Sequence, residues 1–242
     1  MSRVFVGTSG WTYDFWRDDF YAGVPRRAWL AHYATRFDAV EVNATFYHAL
    51  RPAVMQGWYE QTPARFRFCL KGHRWITHVE RLRVDAAAIA RERERAAPLR
   101  HKLAVMLWQL PHTLGRDLAR LRGFSALLRA WPGTRHAIEL RDPSWFDDEV
   151  AACLHEHDIA AVQSDAADWP CWDAVTASFV YVRLHGHAVT YVSGYAPRAL
   201  ARWADRVAAW RADGRDVFVF FDNTDAGRAP RDARSLTQRC AA

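Results

Sequence analysis

Eight short runs of β-branched and aromatic residues recur along this chain, and stretches at helical spacing separate most of them. The runs are 4–8, 39–43, 66–71, 103–109, 136–140, 160–164, 180–184 and 217–221. Amphipathic stretches lie at 26–37, 52–61, 86–97, 116–130, 147–157 and 198–212, with a short one near 231–239. The segment after the sixth run carries Trp and Pro and is only weakly helical, so somewhat irregular helices are expected around strands 6 to 8. Alternating strands and helices imply βαβ units and a parallel sheet. Eight such strands in 242 residues point to one TIM-type (β/α)8 barrel domain spanning 1–242. The alternative, a doubly wound open sheet, usually carries a glycine-rich first turn. Here that turn reads Gly7-Thr8-Ser9-Gly10-Trp11, without G-x-G-x-x-G spacing, and no G-x-x-x-x-G-K-[ST] loop occurs.

Composition narrows the class further. Half the residues are hydrophobic and 25% are charged, as in globular proteins. No apolar run approaches the ~20 residues that span a bilayer, and a strand-like run begins at Val4, where a signal peptide would need its apolar core. The expectation is no membrane partner and a cytoplasmic location. Cys69, Cys153, Cys171 and Cys240 are scattered with no C-x-x-C pair, which fits a reducing compartment and neither zinc nor disulfides. A net charge of +6 admits nucleic acid as a partner. The densest basic stretch, however, interleaves Arg91, Arg93 and Arg95 with Glu92 and Glu94, the pattern of a solvated helix face.

Strand pleating locates a candidate site. Residues two apart share a face, so Glu41 and Asn43 lie opposite Val40 and Val42. Cys69 and Lys71 lie opposite Phe68 and Leu70, Glu139 and Arg141 opposite Ile138 and Leu140, and Arg183 and His185 opposite Val182 and Leu184. Gln109 closes the fourth strand, Asp165 follows the sixth, and Asp222-Asn223 follow the eighth. The apolar faces belong against the helices, so the polar ones point into the barrel near its C-terminal mouth, where barrel enzymes carry their sites.

Glu41, Lys71, Glu139 and His185 are the candidates for chemistry. Asn43, Tyr47, Gln109, Arg141, Asp165, Arg183, Asp222 and Asn223 are the candidates for holding a ligand. Only Lys71 and Lys102 are lysines in a chain that otherwise uses arginine. A buried lysine can lose its proton and act as base or nucleophile, which arginine cannot; Lys102 is expected at the start of a strand and solvated. His185 suits general acid–base work. Arg141 and Arg183 suit a clamp on phosphate or carboxylate. Glu41 and Glu139 could pair for glycoside hydrolysis. Trp11, Trp75, Trp145, Trp169 and Trp172 follow strands and could stack on a ligand or pack the rim.

The expected function is a hydrolase or isomerase acting on an anionic small molecule, with no cofactor. One alternative is a metal-dependent barrel like sugar isomerases or abasic-site endonucleases, although no H-E-x-x-H motif is present. Another is a non-catalytic protein that binds nucleic acid or a small molecule. The cluster could also be a salt-bridge network that fills the mouth, a costly arrangement because each buried ion loses several kcal/mol of hydration.

Gly7-Thr8-Ser9-Gly10-Trp11 with Tyr13 and Trp16, and Glu41-Val42-Asn43-Ala44-Thr45-Phe46-Tyr47, closely resemble the YecE-like family, domain of unknown function 72. So do Phe68-Cys69-Leu70-Lys71, Leu107-Trp108-Gln109-Leu110-Pro111, Glu139-Leu140-Arg141 and Tyr181-Val182-Arg183-Leu184-His185-Gly186. The resemblance covers essentially the whole chain and implies a TIM-barrel fold; it implies little chemistry. Where the family tends to carry F-N-N, this chain reads Phe221-Asp222-Asn223, an added negative charge at 222.

Overall fold

The computed structural model describes residues 2–241. Among them, parallel strands alternate with helices, as the sequence spacing implies. The strands are β1 (Val4–Thr8), β2 (Ala39–Val42), β3 (Arg67–Lys71), β4 (Leu103–Gln109), β5 (Arg135–Glu139), β6 (Ile159–Ala161), β7 (Gln163–Ala166), β8 (Phe179–Gly186) and β9 (Asp216–Phe221). The helices are α1 (Trp29–Arg36), α2 (Ala44–Tyr47), α3 (Pro52–Gln61), α4 (Ala86–Ala96), α5 (Leu118–Leu128), α6 (Asp148–Glu156), α7 (Pro197–Ala212) and α8 (Arg228–Ala241). Asp85, Asp117 and Asp147 start α4, α5 and α6, each accepting from a backbone N–H three residues on. No helix among the described residues is long and apolar enough to cross a membrane.

The hydrogen-bonded ladders form two parallel arcs, β2-β3-β4-β5-β6 and β1-β9-β8-β7. The expected closed eightfold ladder is therefore interrupted twice, and in both places a side-chain hydroxyl fills the gap. Between β1 and β2 the Tyr33 hydroxyl accepts from the Thr8 N–H at 2.8 Å and donates to the Ala39 carbonyl at 3.1 Å. The seam is tight: a Cβ on Gly7 would lie 2.0 Å from the Ala39 oxygen, so only glycine fits there. Beyond it, a single bridge joins Ser9 to Glu41.

The second interruption splits the sixth strand at Val162 into β6 and β7. Thr176 Oγ1 accepts from the Ala161 N–H at 2.8 Å and donates to the Ile159 carbonyl at 2.7 Å, satisfying the edge that β8 would otherwise pair. No helix connects β7 to β8, which leaves residues 167–178 irregular, as their composition suggests.

Two layers of apolar side chains sandwich the strands. Val40, Val42, Leu70, Met106, Ile138, Val182 and Leu184 pack outward with the helices. Phe5, Ala39, Cys69, Val105, Leu107, Ala137, Phe179, Tyr181, Phe218 and Phe220 pack inward as a separate core. Strand β8 shows how the interior changes along its length: its inward residues run Phe179, Tyr181, Arg183, His185, from apolar to ionisable. The N-terminal half of the interior is thus an ordinary core, and the C-terminal half is charged.

One expectation is corrected at the N-terminal end. Lys102 does precede β4, but it is 3% exposed rather than solvated. Its ammonium donates to the Tyr59 and Thr62 carbonyls and to Thr62 Oγ1. Those carbonyls belong to the last turn and cap of α3, so the lysine satisfies acceptors that the end of a helix leaves free.

Candidate functional site

Arg183 lies at the centre of the charged half, 1% exposed. Its Nε and Nη2 donate to both oxygens of Glu41, the shortest contact being 2.8 Å. Nη1 reaches Glu139 at 2.7 Å, and Nη2 also reaches Asp222 at 3.1 Å. Three carboxylates from β2, β5 and the end of β9 therefore surround one guanidinium. Ser9 and Tyr181 donate to Glu41 at 2.6 and 2.8 Å, and Ser164 donates to Glu139 at 3.2 Å. Burial alone would push the Glu139 carboxyl up, but Arg141 and Arg183 hold it well below the usual range. Burial acts the same way on Asp222, and Arg183 with His185 outweighs it, so Asp222 is lowered too.

His185 is fully buried between two of these carboxylates. Its Nδ1 lies 3.0 Å from Asp222 and its Nε2 lies 3.4 Å from Glu139. Neither approach has the alignment of a straight hydrogen bond. The Trp169 ring meets the imidazole edge-on at 4.4 Å, and Tyr191 does so at 5.8 Å. Arg141 lies over Trp169, its guanidinium carbon 3.5 Å from the ring centre. Arg141 Nη2 donates to Gln109 at 3.2 Å and to Glu139 at 3.4 Å, while its Nε is buried without a partner.

Lys71 differs from every other charge in the mouth. It is 7% exposed, its Nζ sits 4.1 Å over the Phe46 ring, and no carboxylate among the described residues lies within ion-pair distance. Burial, joined by the positive charge of Arg183, pulls its amine down to about 8 against the opposing pull of Glu139, Glu41 and Asp222. The same side of the mouth disfavours further positive charge. His78, edge-on to Phe46, is drawn down to about 4 by burial and then by Lys71, Arg74 and Arg141.

The candidates named from sequence thus separate. Glu41, Glu139, Arg183, Asp222, Arg141 and Gln109 meet in one hydrogen-bonded cluster, with His185 packed between two of its carboxylates and Lys71 beside it. Asn43 stands at the start of α2 with its Oδ1 buried and unpartnered. Three others lie elsewhere. Asp165 faces α7, accepting from Trp203 Nε1 at 3.2 Å and touching His187, because the pleat gives the inward position to Ser164. Asn223 is buried, donating to the Ser193 carbonyl and to Asp232, which ties a loop to α8. Tyr47 is 57% exposed at the rim.

Arg183 also departs from its expected part. Its guanidinium is taken up by the chain's own carboxylates, and Arg141 is the arginine with a free N–H. The guanidinium fills the space between Glu41, Glu139 and Asp222 that a metal ion would need. Glu139, held ionised, lacks the raised pKa that a glycosidase acid requires.

Sequence reasoning missed Ser9, Ser164, Tyr181 and Tyr191. Tyr181 was within reach of the period-two rule, two residues before Arg183 on the same face. Tyr191 carried no such signal, since a loop with φ of +68° brings it back over His185. Of the tryptophans, Trp169 alone touches the cluster. Trp11 packs on Trp58, Trp172 stacks on Phe146, Trp145 is buried with its indole N–H on the Leu114 carbonyl, and Trp75 is partly exposed.

Parallel strands that gather ionisable groups at their C-terminal ends define a class of α/β protein with a preformed polar mouth. The chain belongs to the DUF72 family: the model described as "Protein of unknown function DUF72" matches residues 5–242. UPF0759 protein YecE of Escherichia coli K12 is 32% identical over 145 residues, 59% of this chain. The match covers 50% of YecE, so the chain spans about half the length of that relative. UPF0759 protein YunF of Bacillus subtilis 168 is 23% identical, with 97% of this chain and 94% of YunF covered. The crystal structure of a DUF72 family protein from Thermotoga maritima MSB8 superposes with a TM-score of 0.86 at 22% identity, covering 99% of this chain and all of that one.

Proposed function

We propose that residues 1–242 form one TIM-type (β/α)8 barrel whose mouth takes a small phosphate- or carboxylate-bearing ligand, and that the protein hydrolyses or isomerises it. One observation carries this reading. Arg183 is held by Glu41, Glu139 and Asp222, three carboxylates to one guanidinium, while Lys71 lies beside them without an ion-pair partner of its own. A network built only for stability would pair its second cation directly, as it pairs Arg183; an ammonium at 7% exposure without an ion pair gives up hydration with no direct partner in return.

The remaining groups fit defined parts. Arg141 has a buried, unused Nε–H, and Asn43 a buried, unused Oδ1. Such groups are costly to leave unsatisfied; an anion meets the first and a ligand hydroxyl the second. Lys71, with an amine near pH 8, moves a proton. His185, held between Asp222 and Glu139, is the second proton-transfer group. Glu41 keeps Arg183 in place. The same proposal places the chain in the cytoplasm, where its four free cysteines stay reduced.

Calorimetric titration with inorganic phosphate tests the ligand class, and Arg141→Gln is expected to weaken binding about tenfold through loss of a charge-assisted pair. A screen of phosphorylated and carboxylated sugars and esters tests the chemistry. Lys71→Met should melt cooperatively yet turn over none of the compounds that the parent protein accepts. Normal turnover by Lys71→Met would remove the lysine from the mechanism.

A further inference from the structure

Resting on that reading, we infer that Lys71 is a nucleophile for a carbonyl compound bearing a carboxylate or phosphate, a keto acid or a keto- or aldehyde phosphate, which it holds as an imine. Three features of the mouth point beyond proton transfer to a covalent role. First, the cluster already contains a proton-transfer group in His185, whose ring nitrogens lie 3.0 and 3.4 Å from carboxylates. With that group present, the amine can do more than move a proton. Second, Lys71 is one of two lysines among 33 basic residues, and charge alone is supplied everywhere else by arginine. What lysine adds is a nucleophilic nitrogen. Third, Nζ lies over the Phe46 ring with the Arg183 charge in electrostatic range, and desolvation next to a second cation is how a lysine is kept partly neutral for attack.

The step balances without an outside oxidant or reductant. The neutral Nζ adds to the carbonyl carbon, and the C=O π pair moves to oxygen, which takes a proton. The nitrogen loses a proton, the new hydroxyl gains one, and the C–O bond breaks with release of water as the nitrogen lone pair closes the C=N bond, so that a protonated imine remains. Its positive charge is met by the Phe46 face and the pull of the Glu139, Glu41 and Asp222 carboxylates, which partly offset burial and the Arg183 charge. The carboxylate or phosphate of the bound compound reaches Arg141.

The test is borohydride trapping at pH 8 with pyruvate and with dihydroxyacetone phosphate, followed by intact-mass measurement and peptide mapping. Hydride reduces the imine to a secondary amine, so each adduct adds the mass of the carbonyl compound less one oxygen. Modification is expected at Lys71 about a hundredfold faster than at a lysine in an unstructured peptide, because an amine near pH 8 is half neutral there and an ordinary one almost wholly protonated. Lys71→Arg, which keeps charge and bulk, should give no adduct at that position, and Arg141→Gln should slow trapping. Absence of an adduct at Lys71 with both compounds, or trapping no faster than in the peptide, overturns the imine. If inorganic phosphate still binds in that case and Arg141→Gln still weakens it, the anion site survives. If phosphate binding is absent as well, both readings fall.

Discussion

The two lysines of this chain sit at opposite ends of neighbouring strands and are used in opposite ways. Lys71 ends β3; Lys102 immediately precedes β4. Both are buried, at 7% and 3% exposure, and both lie over an aromatic ring. Around Lys102 the chain has placed three oxygen acceptors, and the ammonium closes the end of α3. Around Lys71 there is no acceptor within hydrogen-bond reach among the described residues, and a guanidinium stands in electrostatic range. Burial is therefore no guide to purpose. The difference lies in whether the ammonium is satisfied: at the N-terminal end of the strands a charge is consumed by structure, and at the C-terminal end one is held in reserve.

Arg183 sets the scale for a fully consumed charge. Arg183→Met would leave Glu41, Glu139 and Asp222 facing each other without a cation, and breaking a buried pair costs about 3–5 kcal/mol. With three carboxylates affected, the variant is expected to unfold at or near room temperature at pH 7, as read by denaturant titration. Should it fold with near-parental stability, the cluster cannot be the tightly coupled unit described above.

The lysines should then move stability in opposite directions. An amine brought from 10.5 down to about 8 marks a charged form disfavoured in the fold by about 3 kcal/mol, so Lys71→Met is expected to stabilise the protein at pH 7 by up to that amount. Lys102→Met is expected to destabilise it by about 2 kcal/mol, because the carbonyls of Tyr59 and Thr62 lose a charged donor. Stability gained by deleting a mouth residue is the usual signature of a site kept at the expense of the fold. Equal losses in both variants would erase the contrast between the two amines.

Much of this was readable from residue order, and what was not has a physical cause. The two-residue pleat aims Glu41, Lys71, Glu139, Arg183 and His185 inward, because their outward neighbours are all apolar and need the helices. At the sixth strand the same arithmetic holds through Val162, with Ala160, Val162 and Ser164 inward; Asp165 was placed by its position after the strand and not by the pleat, which turns it toward α7. Lys102 was misjudged because its acceptors come from a helix end 40 or more residues earlier in the chain, and period-two reasoning sees only one strand. Tyr33 and Thr176 fill the two seams of the sheet from outside the strands they serve. No local pattern announces a hydroxyl that substitutes for a ladder bond. The family motifs did mark the C-terminal ends of the strands, since each includes the last residues of one.

The smallest effect is the one that isolates Lys71 most cleanly. Its folded-state pKa lies below its unfolded value, so between about pH 8 and 10.5 the unfolded chain binds more protons at this group than the folded one. Stability contributed at Lys71 therefore rises with pH across that window, by about 1 kcal/mol per pH unit near its centre. Buried tyrosines act the other way: burial raises Tyr13, Tyr21 and Tyr33, so toward higher pH the unfolded chain sheds their protons first and the fold loses stability. Subtracting the pH profile of Lys71→Met from that of the parent removes these shared contributions. A difference curve flat from pH 8 to 10 would mean that the Lys71 amine titrates like a solvated one, and it would remove the lowered pKa on which both proposed roles of Lys71 depend.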